Sequence, residues 1–324
     1  MACYELAALG GRFLTTGRRL CGEKTYPEVS AFVQYFIPEN PKDLSVTFVH
    51  GGGGQGNEFL STSDGRPGWA QIFLQRGYPV YILDRPGHGR AVWNDHVLGP
   101  SLPPPDYESL YPRFVDVSSA PAWPGAEKHS RWPQDPLAGD RFMASQGPMA
   151  TSLEASQRHV EAIAPELFAM TGRTILVTHS AGGPCGWALA AMGGDAVEAI
   201  LAIEPLGHPG LEHALGTFRD GLVVAPLAGG CDPFDRPIAI VTGEATWMQE
   251  QNAKAAMFLL DKGYPVEHIR LEERGITGNG HMMMSETNSD EIAKLLIDWL
   301  GSRLNQSQKA TAAARHTADR KFLA

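Results

Sequence analysis

Ser180 ends an apolar, β-branched run, "TILVT" from Thr174 to Thr178, and is followed at once by Ala181, Gly182 and Gly183. Such a run has the length of a buried strand, and the small residues after it suit a helix packed tightly on a sheet. A strand that turns abruptly into a helix leaves the Ser hydroxyl on an exposed corner, at the positive end of the helix. There it is a nucleophile or a helix cap. To act as a nucleophile it needs a base, a group that orients the base, and donors for an oxyanion.

The donors are expected from "HGGGG", residues 50–54, directly after another apolar strand. Glycine lets backbone N–H groups approach a substrate oxygen closely. Gly52 and Gly53, with the amide of Ala181, are the candidates. A glycine run alone would be a flexible turn, and no Lys-Ser/Thr pair or GxGxxG spacing follows to suggest a phosphate loop. The candidate base is His281, in the Gly/Asn-rich loop "GITGNGH" between the last strand and the last helix. His50, His88 and His179 flank the motifs and suit local backbone bonding. No pair has HExxH spacing, so no metal site is expected, and no organic cofactor is called for.

These residues need elements to hold them. Strand patterns fall at 31–37, 45–50, 79–84, 174–179, 198–204, 237–242 and 266–271, and helical spacing at 68–77, 152–170, 247–263 and 289–304. Pro165 is expected to kink or split the helix that contains it, and Ser289 to cap the last one. Alternating strands and helices predict an α/β fold with a mostly parallel sheet covered on both faces. One domain, 1–304, accounts for this, followed by a polar tail, 305–324. Residues 92–150, rich in Pro and aromatics, and 205–236 break the alternation and are expected to cover a pocket.

Composition narrows the function. The chain has 324 residues with a net charge of −9, which disfavours a nucleic-acid partner or an anionic membrane surface. No apolar stretch reaches the length of a spanning helix. Four scattered cysteines, without a CxxC pair, read as reduced thiols, and with no signal-peptide pattern at the N-terminus the expected location is the cytoplasm. A homodimer is left open.

The ordered set from His50 to His281, together with "LDRPGHGRA" (83–91), resembles the α/β-hydrolase superfamily. The likeness covers nearly the whole chain. One departure is Thr178, where the elbow pattern G-x-S-x-G has its first Gly; that place needs a small side chain. The resemblance implies an acid after the sixth or the seventh strand. After the seventh, "VTGEATW" puts Thr246 where the usual Asp would fall, and Glu244 just after Gly243. After the sixth, Glu204 closes an apolar strand, where a carboxylate is costly unless partnered. That placement, and "GRFLTTGRR" near the start, is similar to the bacterial esterase-713-like group. Glu204 is the favoured acid and Glu244 the alternative. The resemblance implies a Ser-His-Glu hydrolase of a small, moderately apolar ester or lactone. Thioesterase or C–C hydrolase chemistry would use the same triad, and a catalytically silent binding protein could keep the pocket.

Overall fold

The computed structural model describes residues 5–208, 212–213, 216–217 and 232–322, with side chains described for 5–208 and 232–306. Its centre is an eight-stranded sheet: β1 (Leu6–Thr15), β2 (Ser30–Pro38), β3 (Ser45–Val49), β4 (Val80–Asp84), β5 (Thr174–His179), β6 (Val197–Ile203), β7 (Ile238–Thr242) and β8 (Val266–Arg270). The spatial order is β1-β2-β4-β3-β5-β6-β7-β8. Strands β3 to β8 run parallel, while β2 is antiparallel to β1 and β4.

Side chains alternate across the sheet because successive Cβ atoms point to opposite faces. On β5 to β7, Ile175, Val177, Leu201, Ile203, Ala239 and Val241 join one core. Their neighbours Leu176, Ile200, Ala202, Ile238 and Ile240 join the other. The first core packs on helices α1 (Trp69–Gln75) and α5 (Ser289–Phe322), through Phe73, Ile292 and Leu296. The second packs on α2 (Leu153–Thr171), α3 (Gly182–Gly193) and α4 (Gln249–Asp261). Each large apolar side chain fully buried this way contributes about 1.5–3 kcal/mol relative to exposure.

Three local expectations come out differently. Helix α2 continues through Pro165, which therefore does not split it. Its buried face, Val160, Ile163, Ala164 and Leu167, packs in the second core and outweighs the one hydrogen bond that Pro cannot donate. Ser289 is the first residue of α5 rather than its side-chain cap, and its hydroxyl has no partner among the described residues. The residue before it, Asn288, has its amide engaged with Asn279 instead. The same helix runs on through the polar stretch after 305 to Phe322.

Residues 92–150 form short elements over the carboxyl ends of the strands. Besides the helices Asp95–Leu98, Tyr107–Phe114 and Ala138–Ala144, Ser101–Leu102 pairs with Met149–Ala150. Most of 205–236 lies outside the described residues, as do Cys3 and Cys231. Cys21 and Cys185 are free thiols.

Candidate active site

The chain reverses its direction of travel across the sheet between β3 and β5: β4 lies on one side of β3, and β5 to β8 on the other. Loops leaving neighbouring strands diverge at such a point and open a crevice at their carboxyl ends. The glycine loop leaves β3 there, Ser180 follows β5, Glu204 follows β6, and His281 stands in the loop between β8 and α5.

Ser180 has φ 52° and Glu204 φ 48°. They are the only non-glycine residues with positive φ among those described. That region costs an L-residue roughly 1–2 kcal/mol, so it persists only where the surroundings impose it. At Ser180 the N–H donates to Ile203 O, and the carbonyl accepts from Gly183 and Leu206. At Glu204 the N–H donates to Val241 O. Gly182 is required at the corner, since a Cβ there would lie 2.4 Å from His50 O. Thr178 is accommodated by the helix opposite it. A Cβ on Gly186 would meet Thr178 Cγ2 at 2.4 Å, so the glycine missing from the elbow is supplied by α3.

Glu204 is fully buried. Its Oε1 accepts from Gly243 N at 2.6 Å, and its Oε2 accepts from Thr246 Oγ1 at 2.6 Å and lies 3.2 Å from His281 Nδ1. The carboxylate can only accept from Nδ1–H, which leaves Nε2 as the basic nitrogen. His281 Nε2 is buried and has no hydrogen-bond partner among the described residues, Ser180 Oγ included. Such contacts are often open without substrate. Glu244 sits elsewhere: Oε1 pairs with Lys128 Nζ at 2.8 Å, and Oε2 accepts from Gly278 N at 3.0 Å.

Burial pushes the Glu204 carboxyl well above the usual carboxylate range, opposed by the donors on Thr246 and Gly243. Burial also pushes His281 well below its ordinary value, and His179 and Arg113 act in the same direction. Pairs this close titrate as a unit. The base-competent form, neutral imidazole against carboxylate, is lost when the pair takes up a proton as pH falls.

Gly51 and Gly52 face the elbow, while Gly53 packs on Gly147, whose N–H donates to Gly53 O at 2.7 Å. A Cβ on Gly51 would lie 3.1 Å from Ser180 Cβ, and one on Gly52 4.0 Å from Ala181 Cβ. Among the described residues, no acceptor pairs with the amides of Gly52, Gly53 or Ala181. An aromatic wall stands beside the imidazole, with the ring centroids of Trp247 and Phe114 at 4.5 and 5.2 Å from that of His281. Met282, Met283 and Met284 are core residues.

Sequence reasoning missed two supports. Thr246, standing where the usual Asp would fall, donates to the Glu204 carboxylate instead, and its place in the motif was the available signal. Glu286 holds the loop of His281: Oε1 accepts from Gly280 N at 2.8 Å and faces His129 Nε2 at 3.0 Å, while Oε2 accepts from Asn279. Nothing in the sequence around Glu286 marks it.

The donor to Glu204 can be tested separately. Thr246→Val removes a hydrogen bond that favours the ionised carboxyl, so the pair should take up its proton at higher pH. The acid limb of kcat/KM is expected to move up by about one unit. A pH-rate profile checks this; an unmoved limb would mean that Thr246 does not tune the pair.

No protein-family model matches the chain. A fungal protein named "Probable secreted lipase phiG", from Fungal sp. (strain ATCC 74256), is 28% identical, over 85% of this chain and 86% of its own length. A solved structure titled as a novel bacterial esterase superposes with a TM-score of 0.64 at 23% identity, covering 94% of this chain and 98% of that one. That superposition, with the strand order and the elbow after β5, shows that the chain has the α/β-hydrolase fold.

Proposed function

We propose that the chain is a serine carboxylic-ester hydrolase that cleaves a small, moderately apolar ester or lactone through an acyl-enzyme. The observation that carries this reading is the buried contact of Glu204 Oε2 with His281 Nδ1, at the end of the strand next to Ser180. The likeness to proteins named lipase and esterase supports ester hydrolysis. In the proposed reaction, Ser180 Oγ attacks the ester carbonyl and its proton passes to His281 Nε2. Glu204 holds the tautomer and stabilises the imidazolium. The amides of Gly52, Gly53 and Ala181 receive the oxyanion, each donor contributing on the order of 3 kcal/mol. His281 then protonates the leaving alcohol, and water, deprotonated by the same imidazole, releases the acid.

The aromatic wall supports an apolar substrate. Trp123 and Phe114 both meet Trp247 edge-on, and Phe142 packs on Phe114. Aromatic side chains offer large contact area with few rotors to immobilise. Across p-nitrophenyl esters of rising acyl length, kcat/KM is expected to climb about fourfold per methylene, from ~0.8 kcal/mol each, and to fall once the pocket is full. A flat profile, or activation at an oil–water interface, would contradict an enclosed apolar pocket.

A further inference from the structure

Arg85 follows β4 and is 2% exposed, yet no carboxylate lies within ion-pairing distance of it among the described residues. The adjacent acid, Asp84, pairs with Arg90. A buried guanidinium without an anion is costly and must be met by other acceptors. Two of its acceptors are consecutive carbonyls of the glycine loop: Nη2 donates to Gly51 O at 2.5 Å and Gly52 O at 3.0 Å. From the far side, Nη1 donates to Ser156 Oγ at 2.9 Å and approaches Cys185 Sγ at 3.4 Å.

In a trans peptide the C=O of one residue and the N–H of the next point in opposite directions, and no cis peptide occurs among the described residues. Drawing the Gly51 carbonyl onto Arg85 therefore turns the Gly52 N–H away from it. Drawing in the Gly52 carbonyl does the same for the Gly53 N–H. These are two of the amides without an acceptor, on the loop that faces Ser180 and Ala181. A glycine loop has no intrinsic preference for this arrangement, since glycine populates both signs of φ. His50 acts with Arg85: its Nδ1 faces Gly51 O at 2.9 Å, and its Nε2 accepts from Arg85 N at 3.1 Å. Those two contacts fix the neutral tautomer, in keeping with burial and the Arg85 cation, which hold His50 well below its ordinary pKa.

We propose that Arg85 is a positioning residue for the oxyanion hole: by gripping the carbonyls of Gly51 and Gly52 from behind, it presents the amides of Gly52 and Gly53 to the substrate oxygen. The buried cation also adds a fixed positive field on the side where negative charge develops. The inference rests on the proposed serine chemistry, and its test separates the two.

The probe is a trifluoromethyl ketone analogue of the best ester. Ser180 Oγ adds to its carbonyl carbon, the hydroxyl proton passes to His281 Nε2, and the ketone oxygen becomes a hemiketal oxyanion. Inhibition of the wild-type protein tests the serine chemistry, and a wild-type enzyme that turns over esters without forming this adduct would overturn that reading. The variants Arg85→Met and Arg85→Lys test the inference itself, because Lys keeps the charge but cannot fork to two carbonyls. Both are expected to lose about 10²–10³-fold in kcat and a similar factor in affinity for the ketone, with KM for the ester within a few-fold. Ser156→Ala, which removes only the anchor behind the guanidinium, is expected to lose both quantities in parallel by a few-fold and keeps the test decisive if the Arg85 variants do not fold. A merely structural Arg85 would leave ketone affinity unchanged relative to ester KM. That result, or unchanged kcat in a folded variant, would overturn the proposal.

Discussion

Ser180→Ala is expected to lower kcat on an activated ester by about 10⁵-fold or more, with little change in stability. The hydroxyl is the proposed attacking group, and Ala removes it while keeping the Cβ at the same strained corner. Ser180→Gly should be equally inactive, but it releases an L-residue from φ 52° and should be more stable by on the order of 1 kcal/mol. Steady-state turnover and urea denaturation of the two variants check this. An Ala variant that keeps most of its turnover would remove Ser180 from the chemistry.

Glu204→Gln is expected to cost about 10³–10⁴-fold in kcat. Gln offers one acceptor oxygen and one amide. If the oxygen stays on Gly243 N, the amide faces Thr246 Oγ1 and His281 Nδ1, where Oε2 now accepts. A donor opposite Nδ1 favours the tautomer with the proton on Nε2, which cannot take one from Ser180. Glu244→Gln should change kcat by less than about tenfold, since that carboxylate bonds Lys128 and Gly278 rather than the imidazole. Rates of the two variants, measured side by side, decide between the acids, and the reverse ranking would move the acid to the end of β7.

The fold was legible because its signals are local: alternation on β5 to β7 and apolar helical faces are written in short windows. Ser180 and His281 stood out for the same reason, each in a stretch whose glycines are needed for close approach. The choice between Glu204 and Glu244 was harder. It depends on β6 and β7 lying side by side, and on Lys128 arriving from 116 residues away to engage Glu244. Thr178 looked like a defect because the space for it belongs to Gly186, one turn into the next helix. Arg85 was invisible for a stronger reason. A charged residue in a Gly/Pro loop reads as solvent-facing, and only the folded loop brings two carbonyls onto it. Pro165 and Ser289 misled because tertiary packing and the Asn279–Asn288 pair override a local preference.

If Ser180 is a nucleophile activated by the Glu204–His281 pair, it can be captured covalently. The protein is incubated with an activated alkyl fluorophosphonate, the intact mass is measured, and the adduct is mapped by peptide mass spectrometry. One adduct per chain is expected, on the peptide containing Ser180, formed with loss of esterase activity and absent from Ser180→Ala. An adduct on another residue, or full esterase activity in a protein left unlabelled, would contradict it.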